Sequence, residues 1–156
     1  MKRLKKWATL LAVAAFVMLV IPQWTLSVSA TEASGGSGNG EIASGTDGDL
    51  TWVIDANGKL TISGSGDFTF LKGNSVNLRN IPWYYYQSDI KSAVLDVTGM
   101  TNTQFLFSFC NNLVSVDLSR LDTSQVINMR GMFCACESLT SLDVSGFDTS
   151  KVTDMS

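Results

Sequence analysis

Apolar and polar side chains alternate along residues 50–63 on both sides of a short turn sequence. Leucine, tryptophan and isoleucine occupy every second position from Leu50 to Ile54, and Leu60 and Ile62 continue the pattern after the turn. This period of two is typical of a β-strand with one buried face. Asn57-Gly58 between the runs readily adopts the positive φ angles of a tight hairpin turn. The pattern predicts a separate antiparallel β-hairpin.

The last third of the chain repeats itself. Residues 113–130 align without gaps on residues 139–156 at an offset of 26, and 9 of the 18 pairs are identical. An earlier, degenerate unit aligns residues 95–98 on 116–119 at an offset of 21, and residues 107–113 on 133–139 at an offset of 26. A period of this length falls in the range of leucine-rich repeats, about 20–29 residues.

Each repeat unit predicts a strand followed by turns. Strands are expected at Val94–Thr98, Val114–Ser119 and Thr140–Ser145, stacked in one parallel sheet. The Asp-Thr-Ser triplets at 122–124 and 148–150 offer oxygens that cap a following turn or helix. The positions at helical spacing, which should pack back onto the strands, are Val126, Met129, Met132 and Phe133.

A single unit of this kind cannot bury its own apolar face, so neighbouring units must stack. The predicted class is therefore α/β. We expect a leucine-rich-repeat-like right-handed solenoid, in which short parallel strands alternate with helical or 3-10 turns. The antiparallel β-hairpin precedes it as a leader.

The N-terminus carries an export pattern. Basic residues in Met1–Lys6 precede 15 uncharged residues at Trp7–Ile21, too few for the roughly 20 that a membrane-spanning helix needs. Val28-Ser29-Ala30 fits a signal-peptidase site, so cleavage is predicted after Ala30, with an uncleaved anchor as the alternative. The expected location is secreted or at the cell surface.

Composition divides the remaining chain into three parts. Residues 31–48 are rich in glycine and serine and predict a flexible linker. Residues 49–92 contain the hairpin and an aromatic N-terminal cap, and residues 93–156 hold the repeats. The sequence stops before a second Met-Phe-x-x-Cys half, so the expectation is a repeat domain truncated at its C-terminus.

The net charge and the residue types present exclude several classes of function. The chain contains no histidine, which removes His-dependent nucleophilic catalysis and His-ligated zinc. Beyond residue 30 there are seven basic and 14 acidic residues, a net charge of −7. Such a chain has no electrostatic footprint for nucleic acid or, beyond the export signal, for a membrane. No catalytic residue, metal site or cofactor is predicted.

Two surfaces are candidates for binding. The first is the outward face of the repeat strands, formed by Ser115, Asp117, Ser119, Ser141, Asp143 and Ser145. The second is the aromatic cluster containing Trp83, Tyr84 and Tyr86, which either caps the core or forms a stacking platform for sugar rings, the cap being favoured.

Two further side-chain ladders are predicted from the repeat. Asp96, Asp117 and Asp143 should stack on the outward face, where solvated acids are favoured over a calcium site. Cys110 and Cys136 occupy the same position of successive units. Either a disulfide or a ladder of buried free thiols fits this position, with Cys134 left over.

The repeat also carries a family resemblance. Residues 139–156, together with the Met-Phe-x-x-Cys pattern at 132–136, resemble BspA-like leucine-rich repeat surface proteins and their mycoplasma-type lipoprotein repeat class. Residues 50–52, 57–66 and 82–91 resemble segments that precede such repeats. Met100–Gln104 departs from the usual Phe-Asp-Thr-Ser-x-Val stretch, which predicts an irregular first coil. Single cysteines recur in the repeats of this family, so the resemblance favours free thiols over a disulfide at Cys110 and Cys136.

The resemblance implies bacterial surface display and binding to host or bacterial surface proteins or glycoproteins, with no catalytic residues to carry over. The leading hypothesis is a non-catalytic adhesin. The alternatives are a carbohydrate-binding module that uses Trp83–Tyr86 and a non-catalytic fragment of a larger surface enzyme.

Overall fold

The computed structural model describes residues 40–72 and 76–156. The predicted export signal, its cleavage site at Ala30 and the first residues of the predicted linker lie outside this part. The strands are β1 (Glu41–Asp47), β2 (Leu50–Asp55), β3 (Lys59–Ser65), β4 (Ser92–Thr98) and β5 (Ser115–Asp117). Short 3-10 helices span Thr69–Leu71, Leu78–Asn80 and Tyr84–Tyr86.

The five strands form one mixed sheet in the order β1-β2-β3-β4-β5. β1, β2 and β3 pair antiparallel, whereas β3 pairs parallel with β4 and β4 parallel with β5. The hairpin formed by β2 and β3 agrees with the prediction. It is not a separate element, however, because β3 pairs with β4 along its whole length, from Lys59 opposite Ser92 to Ser65 opposite Thr98. The hairpin therefore starts the sheet that the repeats continue.

The linker prediction for residues 31–48 is wrong for Glu41–Asp47, which form β1. Ala43 is buried, and Gly45 lies opposite Trp52 in the neighbouring strand. A Cβ atom at Gly45 would lie 2.9 Å from the indole of Trp52. The glycine that suggested flexibility is thus required because a large ring covers the backbone at that point.

The predicted repeat strands are only partly present. β4 contains the predicted Val94–Thr98, β5 is shorter than predicted, and residues 140–145 do not form a strand. Asp117 and Asp143 each accept a hydrogen bond from the backbone N–H two residues further on. These side-chain bonds compete with sheet pairing for the backbone donors, and β5 ends at Asp117.

Successive units are joined instead through their second halves. Isolated parallel bridges link Asn102 to Asn128 and Asn128 to Asp154, each at an offset of 26 residues. Backbone N–H groups from residue 103 to residue 109 donate at alternate positions to carbonyls of the next unit, over distances of 2.8–2.9 Å. Hydrogen bonds between the units thus repeat with the period seen in the sequence.

The α part of the predicted α/β class is wrong for the described residues, which contain strands, 3-10 helices and turns but no α-helix. Phe105, Phe109, Gly131 and Ala135 have φ angles between 57° and 63°, and each therefore interrupts any right-handed helix. Of the four predicted inward positions, Val126, Met129 and Met132 are nevertheless buried, and Phe133 is partly buried against the core. Consecutive tight turns place them there instead of a helix.

The core lies on one face of the sheet and extends beneath the repeats. Alternate residues of β2, β3 and β4 are buried, as the period of two predicts. Trp83 closes this core, with its ring edge-on to Phe68 at 5.3 Å and to Trp52 at 6.0 Å between centroids. Its indole N–H donates to the carbonyl of Leu106 at 3.2 Å, which ties the leader to the repeats.

Candidate functional site

All six predicted outward residues are exposed: Ser115, Asp117, Ser119, Ser141, Asp143 and Ser145. The first two lie on β5, where Ser115 is opposite Ser92 and Asp117 is opposite Val94. We call these six residues the strand face. They present small hydroxyl and carboxylate groups, with neither a deep pocket nor a large apolar side chain among them.

The carboxylates of the repeats are fixed by an Asp-x-Ser turn. Asp117 accepts hydrogen bonds from the backbone N–H and the hydroxyl of Ser119, at 3.0 and 2.7 Å. Asp143 accepts from the backbone N–H of Ser145 at 2.9 Å. The same backbone bond is made at Asp122, Asp148 and Asp154, with N–H to Oδ1 distances of 2.9–3.0 Å. The chain thus holds several carboxylates in one defined orientation.

These turns lower the pKa of the aspartates. The hydroxyl of the serine two residues on, and then its backbone N–H, hold the pKa of Asp117 and Asp143 below the ordinary value, since both groups bond to the ionised form. The pKa values of Asp122, Asp148 and Asp154 are lowered by the same two bonds from their own serines. Asp117, Asp122, Asp143 and Asp148 are solvent-exposed and Asp154 is half-buried, and all five are anions at neutral pH.

This arrangement predicts loss of stability in acid. When the pKa of an aspartate is lower in the folded than in the unfolded chain, its ionisation stabilises the fold at pH values above the unfolded-state pKa, about 3.9. This stabilisation disappears as the pH falls through the folded-state pKa. We expect the melting temperature to fall as the pH drops below about 4. Carboxyl carbon shifts measured by NMR should place the Asp143 pKa below that of a model peptide.

The control uses a turn that the protein already contains. Asn128 makes the same bond with its amide oxygen, accepting from the N–H of Arg130 at 2.9 Å. Asp143→Asn should therefore keep the turn and weaken the dependence of the melting temperature on acid. An unchanged acid profile in Asp143→Asn, with a normal Asp143 pKa in the wild type, would contradict the role given to these turns.

The prediction that Asp96, Asp117 and Asp143 stack is wrong for Asp96 and Asp117, which are not neighbours across the sheet. Val94, not Asp96, lies opposite Asp117, because β4 and β5 pair at an offset of 23 residues instead of 21. Asp96 instead forms an ion pair with Arg120 at 3.2 Å. Both side chains are more than half exposed, so the pair adds little to stability. It does place a guanidinium beside the strand face, a feature that the sequence comparison missed.

The aromatic cluster divides between core and surface. Trp83 is fully buried, so neither face of its indole is open to a sugar ring. Tyr84 and Tyr86 are half-buried and pack against the core, whereas Tyr85 is 81% exposed and contacts Tyr84 edge-on. The alternative sugar-stacking platform of Trp83, Tyr84 and Tyr86 therefore lacks its tryptophan ring.

All three cysteines are free thiols. Burial, followed by the neighbouring Cys136, raises the pKa of Cys110 to about 12, and burial raises that of Cys136 to about 11. The thiol of Cys136 donates to the carbonyl of Phe107 at 3.1 Å. Cys110 and Cys136 are thus un-ionised at neutral pH and pack as part of the fold.

Within residues 40–72 and 76–156, no cluster of three or more His, Cys, Asp or Glu side chains could hold a metal ion. The same part of the chain has no helix with the length and apolar character to cross a membrane.

The 26-residue unit and the hydrogen bonds between its copies define a repeat architecture. Residues 82–156 match the family described as "Mycoplasma protein of unknown function, DUF285". The matched residues include all of the repeats, whose sequence resembles the mycoplasma-type class.

A solved leucine-rich repeat protein from Eubacterium ventriosum ATCC 27560 is 24% identical to the chain, with a TM-score of 0.46. The alignment covers 68% of this chain and 25% of that protein, so the chain spans about a quarter of its length. The search of curated proteins found no match to the chain.

Proposed function

We propose that the chain is an exported, surface-displayed repeat protein that binds other proteins through the strand face and is not an enzyme. The observation that carries this proposal is the recurrence of exposed Asp-x-Ser turns at the repeat period, for example at Asp117 and Asp143. Stacked units would form a right-handed solenoid. Such a stack presents one copy of each outward side chain per coil and suits extended protein ligands.

The chemistry of the strand face defines the expected partner. Its carboxylates are ionised and held in fixed positions, so they would pair with basic side chains or accept hydrogen bonds from hydroxyl groups of surface proteins and glycoproteins. Without a pocket or an aromatic anchor, each copy binds weakly. Attachment would then come from many units and many displayed molecules acting together.

A binding assay with paired variants tests the strand face. The purified chain is immobilised at high density, and host glycoproteins are passed over it beside purified glycans. Asp117→Ala combined with Asp143→Ala should reduce retention of the bound glycoproteins at least fivefold, and added salt should weaken the wild-type signal because the charges are exposed. Asp49→Ala is the matched control, since it removes an exposed carboxylate from the turn between β1 and β2.

The same assay separates adhesion from the carbohydrate alternative. Because Trp83 is buried, its replacement would test folding and not sugar binding. Tyr85→Ala is the informative variant, since that ring is exposed. A signal from glycans alone that survives the double aspartate variant and disappears in Tyr85→Ala would overturn the proposal in favour of a carbohydrate-binding module.

A further inference from the structure

An open cleft of about 800 Å³ lies between the 3-10 turns at Leu78–Asn80 and Tyr84–Tyr86 and the turn that carries Phe109. Its volume falls within the range of small-molecule sites, about 300–1,000 Å³. The residues that give it chemical character are Arg79, Tyr84, Gln87 and Phe109. It shares no residue with the strand face.

Phe109 is an aromatic side chain that the core does not require. The residue is 48% exposed and has a φ of 63°, a backbone conformation that bulky residues rarely adopt. Ala135, its counterpart 26 residues later, has a φ of 58°. The repeat thus requires this backbone conformation, but a methyl group satisfies it in the next unit.

The backbone around Phe109 is firmly held. Its N–H donates to the carbonyl of Cys134 at 2.8 Å, and its own carbonyl accepts from the N–H of Asn111 at 2.9 Å. These backbone bonds hold the Phe109 side chain at the cleft wall.

The polar groups of the cleft complement each other. Among the described residues the guanidinium of Arg79 forms no ion pair, since the pair found there joins Arg120 to Asp96. The amide nitrogen of Gln87 donates to the carbonyl of Ser108 at 2.7 Å. This bond fixes the amide and leaves its oxygen as an acceptor. The cleft thus combines a cation, an acceptor and two aromatic rings.

We propose that this cleft binds a sugar unit that carries a carboxylate. The Arg79 guanidinium would pair with the carboxylate, in the two-pronged geometry that arginine favours. The rings of Tyr84 and Phe109 would pack against the apolar C–H face of the sugar, while the Gln87 oxygen accepts a hydrogen bond from a hydroxyl. The chain beyond residue 30 carries a net charge of −7 and offers an acidic ligand no general attraction, so binding must depend on Arg79.

Saturation-transfer NMR on the full chain tests the proposal, with the methyl glycoside of N-acetylneuraminic acid as the acidic probe and methyl galactoside as the neutral one. The acidic probe should give the stronger signal. Arg79→Gln and Phe109→Ala should each weaken its binding about tenfold, whereas Arg130→Gln, which removes an exposed arginine from the repeats, should leave binding unchanged.

Thermal melts of each variant accompany the titration. Arg79 is exposed and Ala135 shows that alanine fits the position of Phe109, so both variants should fold. If Phe109→Ala nevertheless unfolds, Phe109→Leu keeps the bulk and removes the ring. Equal binding of the two probes, full binding by Arg79→Gln, or equal loss in Arg130→Gln would each overturn the proposal, and none of them bears on the strand face.

Discussion

Replacing Trp83 by alanine should lower the free energy of unfolding by about 4 kcal/mol, a typical cost of truncating a buried tryptophan. The side chain is fully buried and contacts Trp52 and Phe68 edge-on. Its removal leaves a large cavity where the leader meets the repeats, and it also leaves the carbonyl of Leu106 without its indole donor. Urea denaturation followed by far-UV circular dichroism measures the change.

The neighbouring tyrosine provides the matched control. Tyr85 lies two residues away in the same aromatic run, but 81% of it is exposed. Tyr85→Ala should change the free energy of unfolding by less than about 0.5 kcal/mol, as surface substitutions usually do. Equal effects of the two variants would mean that Trp83 does not close the core.

Gly64→Ala should destabilise the protein by about 3 kcal/mol or more, since two effects combine. Gly64 has a φ of 124°, in a region that is essentially restricted to glycine and costs other residues about 1–3 kcal/mol. A Cβ atom there would also overlap the carbonyl oxygen of Asp49 in the turn that precedes β2. The pairing of Gly64 with Leu50 on one side and Val97 on the other prevents the strand from shifting away.

Gly66 separates the two effects. It also has a positive φ, 85°, but a Cβ atom built on it meets no heavy atom within 4 Å. Gly66→Ala should therefore cost only about 1–2 kcal/mol, the cost of the left-handed backbone conformation alone. The difference between the urea midpoints of Gly64→Ala and Gly66→Ala measures the cost of the overlap with the Asp49 carbonyl. Indistinguishable midpoints would show that β3 does not approach the Asp49 carbonyl as closely as described.

The alternation of side chains was sufficient to place much of the sheet. Leu50, Trp52 and Ile54 are all buried, because a strand with one face in the core must alternate in this way. The repeat alignment placed Val126, Met129 and Met132 inward for a similar reason: successive units bury the same positions whatever their local backbone conformation. Self-comparison also found the unit that the family match covers.

The sequence was sufficient to predict that the strand-face residues are exposed, but not which residues lie opposite them in the neighbouring strand. Its aspartates and serines could be assigned outward from the period of the strands. That Asp117 would lie opposite Val94, leaving Asp96 to pair with Arg120, required the pairing offset of β4 and β5. A short degenerate match cannot distinguish offsets of 21 and 23, since apolar residues recur every second position at both.

The sequence by itself determined the hairpin, the period of the repeat and the inward side of each unit, because these follow from local alternation and from self-similarity. Only the tertiary structure decided the role of residues that act through distant neighbours. The ring of Trp52 covers Gly45 from the neighbouring strand. Phe68 and Trp52 enclose Trp83 in the core. Phe109 lies in a cleft beside two 3-10 turns. Composition cannot reveal such contacts, since the partners lie far apart along the chain or in another strand.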